Sequence, residues 1–188
     1  QWPARWAHNP KVGGSNPPPA TTLIKYVIMN KSIFILILSL AVASVSCEKS
    51  DWFSPEDVEN IPFLDTATVV LTQSEIPIET VIATGRNASG IFVWNPAPAP
   101  EEIVPLELLD VVDVLVPNQT ELSLLAATGP IDSVEKAISA AQTLPCASVV
   151  VTLGADGAVV IANNNAAHVP APFVRPVDTA GAGDAFCA

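Results

Sequence analysis

The chain is expected to fold as α/β, a three-layer α/β/α sandwich around a mainly parallel sheet. Three observations carry this expectation. From residue 68 onward, short apolar runs rich in β-branched residues alternate with segments of helical period, the pattern of strands joined by crossover helices. Polar and Gly- or Pro-containing segments fall at the ends of those runs, where open α/β sheets collect ligands. Near the end of the sequence, an extended stretch rich in Val and Pro (169–177) leads into Asp178-Thr179-Ala180-Gly181-Ala182-Gly183-Asp184, a Gly-x-Gly turn opening a helix.

In chain order, 68–72 (Thr-Val-Val-Leu-Thr) reads as a buried strand and 78–87 as a short helix. Residues 91–94 make a second strand. The next six residues cannot be helical, because prolines stand at 96, 98 and 100. A third strand is expected over 111–116. Asn118 is placed to cap a helix over 119–127. Val134, Ala137, Ile138 and Ala141 share one helical face, so 131–144 reads as a helix with Asp132 or Ser133 near its start. The run 147–153 is the clearest strand. Residues 157–162 and 166–169 suit an antiparallel pair around Asn163-Asn164-Asn165.

The chain of 188 residues is long enough for one domain with a sizeable core, and 49% hydrophobic with 14% charged residues argues against disorder. The formal net charge of −11 is uneven: five of eight basic residues precede position 50, and 51–188 carry three basic against eighteen acidic side chains. Such a surface repels nucleic acid and anionic membranes. It can still hold a phosphorylated ligand where backbone N–H groups and metal ions neutralise the phosphates. Cys47, Cys146 and Cys187 form no Cys-x-x-Cys pair, and His8 and His168 lie far apart, so neither a zinc nor a disulfide framework follows. Cys146 and Cys187 are expected in or near a core. Residues 1–28 are crowded with Pro, Gly and Asn and are expected to be disordered or a spurious leader; the Gly13-Gly14 pair there has no preceding strand. Met29, Lys31 and the apolar run 33–45 before Ser46-Cys47 have the layout of a signal peptide, with a buried strand or helix as the alternative. A linker is expected over 48–60, and the main domain over 61–188.

The chemistry concentrates in the last segment. A Gly-x-Gly turn at a helix start presents unpaired N–H groups and the positive end of the helix dipole, an anion site. Asp184 stands beside it, and an anion cradle with a base at its edge is what phosphoryl transfer to a hydroxyl requires. A Gly-rich loop before any helix is the plainer alternative.

Four further segments precede it in order: Gln73-Ser74-Glu75-Ile76-Pro77, Asn95-Pro96-Ala97-Pro98-Ala99, Pro117-Asn118-Gln119-Thr120-Glu121 and Thr152-Leu153-Gly154-Ala155-Asp156-Gly157. With 178–184 they resemble the ribokinase family of phosphofructokinase B-type (PfkB) sugar kinases, over about residues 58–188. The resemblance implies a ribokinase-like, Rossmann-like domain, ATP as phosphate donor, Mg²⁺ and K⁺ as ions, and a sugar acceptor, D-ribose in the first place. It implies a cytoplasmic enzyme, often a homodimer. By resemblance, Asp184 is the catalytic base and touches the sugar, while Gly181, Ala182 and Gly183 stabilise the moving phosphoryl group. Glu75 contacts a sugar hydroxyl, or else is an ordinary acid at a helix start. Asn118 and Glu121 lie near the triphosphate, with Glu121 reaching Mg²⁺ through water; the same spacing also makes a capping box. Thr152, Leu153, Gly154, Ala155, Asp156, Gly157 and Gly183 line the nucleotide pocket, with a hairpin turn as the alternative for 152–157. Asp178 and the backbone at Ala180 belong to the K⁺ site. The Asn95 segment reads as mainly architectural.

Two departures from the family pattern stand out. The long N-terminal portion that supplies most sugar contacts and a lid is replaced by the leader and apolar run. The segment that holds the adenine and completes the K⁺ site is missing after 188. A truncated fragment without useful ribose turnover is therefore expected. The competing reading is a non-catalytic domain, exported or lipid-anchored through 29–47, that keeps the phosphate loop as a relic.

Overall fold

Among the described residues eight strands form one sheet, and they stand side by side in the order of the chain. The computed structural model describes residues 26–28, 34–38, 54–100, 103–179 and 181–187. The strands are β1 (Tyr26–Ile28), β2 (Phe34–Leu38), β3 (Val69–Gln73), β4 (Ile91–Asn95), β5 (Val114–Leu115), β6 (Ser148–Thr152), β7 (Ala158–Ala162) and β8 (Asn165–Val169). Neighbours from β2 to β6 are parallel; β1 pairs antiparallel with β2, and β6, β7 and β8 form an antiparallel meander. The parallel steps cross through helices: α2 (Ile78–Asn87), α3 (Leu106–Val111), and the pair α4 (Gln119–Leu125) and α5 (Val134–Ala141). The short α1 (Pro55–Val58) precedes β3, and α6 (Ala182–Cys187) follows β8. This is the α/β class with a mainly parallel sheet that the alternation of elements anticipates.

Register explains where the core sits, because residues paired across parallel strands share a face. Thr72, Trp94, Leu115, Val149 and Ile161 form one such row, and all five are buried. The four apolar members of the row join the buried positions of α2 to α5, among them Val81, Leu108, Leu122 and Ala137, in a single cluster. α2 closes on the sheet because it carries Gly85 at the contact: a Cβ there would lie 2.7 Å from the Phe92 ring and 2.8 Å from a Val111 methyl. The opposite row, Val93, Val114 and Ser148, is half-buried.

Several elements differ from the sequence expectation, each for a local reason. The stretch 111–116 is not one strand. α3 runs to Val111, anchored by buried Leu108 and Leu109, and β5 keeps only two residues. Asp113 is drawn off by β4 instead, its carboxylate accepting from the Phe92 N–H at 2.8 Å. The expected linker contains α1, opened by a capping box between Ser54 and Asp57 and anchored by buried Val58. Helix 131–144 is trimmed to Val134–Ala141, with the Ser133 hydroxyl accepting from the Lys136 N–H at its start. The β7–β8 hairpin turns on Asn163 and Asn164, at φ 49° and 62°. Two left-handed residues in succession match the strand twist, and Asn tolerates them better than most side chains.

Two parts of the N-terminal stretch are described, and both are strand. Tyr26–Ile28 falls within the segment expected to lack structure, and Phe34–Leu38 falls within the apolar run and pairs in parallel with β3. Met29, Lys31, Cys47 and the proposed processing site lie outside the described residues. Among the described residues, no helix is long and apolar enough to cross a membrane.

Candidate active site

The carboxyl ends of β4, β5 and β6 open on one side, and residues from four of the five segments singled out from the sequence meet there. A cavity of about 220 Å³ is lined by Asn95, Ala97, Val116, Asn118, Glu121, Thr152, Thr179, Cys187 and the turn from Gly181 to Asp184. Among the described residues no Lys or Arg lines it; the charged lining groups are the carboxylates of Glu121 and Asp184.

Glu121 reaches the cavity because β5 ends in a helix start. Asn118 is the N-cap of α4, its side-chain Oδ1 accepting from the Glu121 N–H at 2.9 Å. In return the Glu121 carboxylate accepts from the Asn118 backbone N–H and from its side-chain amide, each at 2.8 Å. Thr152, at the end of β6, is held beside this cap by its N–H donating to the Pro117 carbonyl at 3.0 Å. Glu121 is only 6% exposed. Burial pushes its carboxyl above the ordinary value of 4.5, and the Asn118 N–H pulls the other way. The two alternatives for Asn-x-x-Glu thus coincide: the residues form the capping box and also line the cavity.

Asp184 enters from the other side. Gly181 sits at φ +71°, which bends the chain into α6, and the Ala185 N–H donates back to the Gly181 carbonyl at 2.9 Å. A Cβ on Gly181 would lie 3.9 Å from Asp184 Oδ2, so this oxygen borders the turn. The other oxygen, Oδ1, accepts from the Gln73 side-chain amide at 2.8 Å. Cys187, one turn further, has its thiol shifted upward by burial and by the negative fields of Asp184 and Glu121. Cys187 lines the same cavity as the two carboxylates. Cys146 is pushed up to about 11 by burial, with Asp110 adding to it, as suits the apolar packing role expected of it.

Other residues singled out from the sequence stand apart from this cavity. Glu75 lies two residues beyond β3 and is not part of the lining. Leu153 is buried, and Gly154, Ala155 and Asp156 form a 3₁₀ turn between β6 and β7. The segment 152–157 is therefore the connection of an antiparallel pair, whatever it also borders. Gly157 is at φ +92°, and a Cβ there would fall 2.0 Å from the Val169 carbonyl oxygen. Asp178 is exposed and outside the lining, and Ala180 lies outside the described residues.

Oxygen chemistry fits the implied ions in part. Mg²⁺ takes hard oxygen donors and keeps several waters. The cavity offers the Glu121 carboxylate, the Thr152 hydroxyl and the Asp184 carboxylate around an open volume. The Asp178 carboxylate is a suitable oxygen donor for K⁺.

Sequence reasoning underrated Gln73 and Asn95. Both are buried, at 8% and 6% exposure, and paired in register at the ends of β3 and β4. A usable signal was present: an amide side chain ending a buried strand needs a partner, and at a carboxyl end that partner belongs to the site.

Comparison with known proteins agrees with this geometry. The model of the pfkB family carbohydrate kinases matches residues 20–188. The deoxyribokinase of Salmonella typhi is 34% identical over 168 residues, covering 86% of this chain and 52% of the relative. The ribokinase of Staphylococcus aureus is 34% identical over 139 residues, covering 71% of this chain and 45% of the relative. Among solved structures, the ribokinase of Thermotoga maritima superimposes with a TM-score of 0.60 at 34% identity, covering 69% of this chain and 44% of that one. Arabidopsis thaliana ribokinase, complexed with ribose and ATP, gives 0.59 at 31% identity, covering 71% and 44%. The chain spans about half the length of the curated relatives it matches. The match extends well upstream of Gln73, where the motifs begin, and into the stretch expected to be a leader and apolar run, and with it the chain belongs to the pfkB family of carbohydrate kinases.

Proposed function

We propose that this chain carries the phosphoryl-transfer centre of an ATP-dependent pentose kinase that converts D-ribose and ATP to D-ribose 5-phosphate and ADP. The observation that carries the reading is that one cavity holds the Gly181–Gly183 turn, the Asp184 carboxylate and the capped Glu121. The relatives named ribokinase and deoxyribokinase, and the solved neighbour that binds ribose and ATP, support the substrate class.

In this reading the primary hydroxyl of the sugar lies against Asp184. Its oxygen forms a bond to the γ-phosphorus, and its proton passes to Asp184. The bond from the γ-phosphorus to the bridging oxygen breaks, and ADP leaves with that electron pair. Backbone N–H groups of Gly181 and Gly183 face the charge on the moving phosphoryl oxygens, where fixed dipoles act most strongly; the Ala182 N–H donates to the Thr179 carbonyl at 3.2 Å and would have to leave it to join them. Glu121 would hold Mg²⁺ through water, with Asn118 fixing its carboxylate, and the ion would supply positive charge that the cavity's side chains lack. Residues 152–157 would border the nucleotide, Glu75 a sugar hydroxyl, and Asp178 with Ala180 a potassium ion.

The test uses a full-length version of the kinase, in which this sequence is extended to the length of its relatives. Asp184→Asn keeps the shape but cannot take the proton. It is expected to lower kcat by about 10²–10⁴-fold, the range of general-base catalysis, with the KM for ATP little changed. Comparing ribose with deoxyribose in the same coupled ADP assay decides the sugar. A kcat within a few-fold of the parent would refute the role of Asp184.

A further inference from the structure

The hydrogen bonds behind Asp184 run in one direction. The Asn95 side-chain nitrogen donates to the Val116 carbonyl at 2.7 Å. That leaves the Asn95 side-chain oxygen facing Gln73, whose Nε2 donates to it at 3.1 Å. The same Nε2 donates to Asp184 Oδ1 at 2.8 Å, across 111 residues of sequence. A primary amide nitrogen has two hydrogens, and these two bonds use both. The Val116 carbonyl can only accept, so it fixes the orientation of Asn95, which fixes that of Gln73. Turning Gln73 over would set its carbonyl oxygen against two other oxygens, one of them anionic.

We propose that Gln73, oriented by Asn95, is a positioning residue that holds Asp184 by one carboxylate oxygen and leaves Oδ2 as the proton-accepting atom. The inference rests on the reading of Asp184 as the base. Its physical case is a contrast in rigidity. Asp184 is exposed and sits on α6, a helix of six residues with none buried. Gln73 and Asn95 are buried and end two central, parallel, register-paired strands. Among the described residues, the Gln73 amide is the side-chain hydrogen bond that joins α6 to the sheet. A reacting group loses rate steeply with displacement, about 10²-fold for 1 Å, so on a helix with no buried residue a tether to the sheet is worth most at this atom.

Two measurements test it. In the ¹³C,¹⁵N-labelled 188-residue chain, the Gln73 side-chain amide is assigned through its own backbone resonances. Its protons are expected to exchange slowly with solvent, and Asp184→Ala, which removes the accepting oxygen, is expected to shift them and speed exchange of one at least tenfold. An amide that exchanges freely, or that ignores Asp184→Ala, overturns the contact. In the full-length version, Gln73→Met is expected to lower kcat about 10–100-fold, by the same displacement argument, with both KM values within about threefold. Gln73→Glu, similar in shape but without the two N–H donors, should fall at least as far. In an Asp184→Asn background, Gln73→Met should change the residual rate less than twofold. An equal loss in both backgrounds would mean general structural damage and would overturn the proposal. If Asp184→Asn slows the enzyme but Gln73→Met does not, the base stands and the positioning role fails. If Asp184→Asn itself is silent, the base reading fails first. Should Gln73→Met not fold, the amide measurement with Asp184→Ala, a substitution at an exposed position, still decides.

Discussion

Glu121 shows how one residue can serve two demands. Its carboxylate completes a helix cap and so satisfies the Asn118 N–H, yet it does this while buried at the edge of a cavity. Burial raises its carboxyl above 4.5 in the folded chain. Between that ordinary value and the folded one, the native chain holds a proton that the unfolded chain has released. Stability from this group is therefore fully present below about 4.5 and is lost as pH rises through the folded value. The expected outcome is that the unfolding free energy of the parent, minus that of Glu121→Gln, declines as pH is raised from about 4 to 7. Urea titrations at stepped pH measure it, and subtracting the variant removes the many other acids. A difference that stays flat across this range would show that burial does not perturb the carboxyl.

At the scale of elements, the connection from β6 to β7 separates two kinds of glycine. Gly154 has φ +58° with open space where a Cβ would stand, whereas Gly157 has φ +92° and a Cβ would strike the Val169 and Pro170 backbone. Alanine at 154 meets only the left-handed penalty, about 1–2 kcal/mol. Alanine at 157 adds a backbone collision that must push β8 away from the turn. Gly157→Ala is therefore expected to lower the denaturation midpoint clearly more than Gly154→Ala. Equal shifts in matched urea curves would mean that the segment following β8 gives way freely. The cap of α4 and this turn lie at the ends of neighbouring elements, and the Thr152 N–H to Pro117 bond couples them. A change at either end thus reaches the wall of the cavity.

For the molecule as a whole, burial is uneven, and local stability should follow it. Trp94, Leu115 and Val149 lie in the main cluster, with Thr72 buried beside Trp94, while every residue of β8 is exposed and α6 buries none. Native-state hydrogen exchange is expected to find the slowest amides in β3, β4 and β6, and the fastest among the helical amides in α6. Protection of α6 equal to that of β4 would mean that more than the Gln73 tether holds it to the sheet. The arrangement gives the candidate site a rigid half, on the strand ends and α4, and a lightly held half, on 181–187.

Much of this was legible in the chain itself. Periodicity and turn chemistry located β3, β4, β6, the β7–β8 hairpin, α2, α4 and α5, because those signals are local: side-chain alternation, an Asn cap, an Asn-Asn turn. The motif residues Asn118, Glu121, Gly181 and Asp184 were singled out from pattern and resemblance, and the fold does place them around one cavity. The apolar run 33–45 was ambiguous in sequence, since a signal segment and a buried strand share one composition. Pairing of Phe34–Leu38 with β3 is a property of the sheet, invisible in the run. The split of 111–116 into α3 and β5 was also missed, since it depends on what Leu108, Leu109 and Asp113 meet across the sheet. The roles of Gln73 and Asn95 are tertiary for the same reason. Sequence shows two amides at strand ends. Only register sets them side by side, and only the return of the chain at Asp184 shows what their N–H groups are for, because a hydrogen bond across 111 residues leaves no local trace.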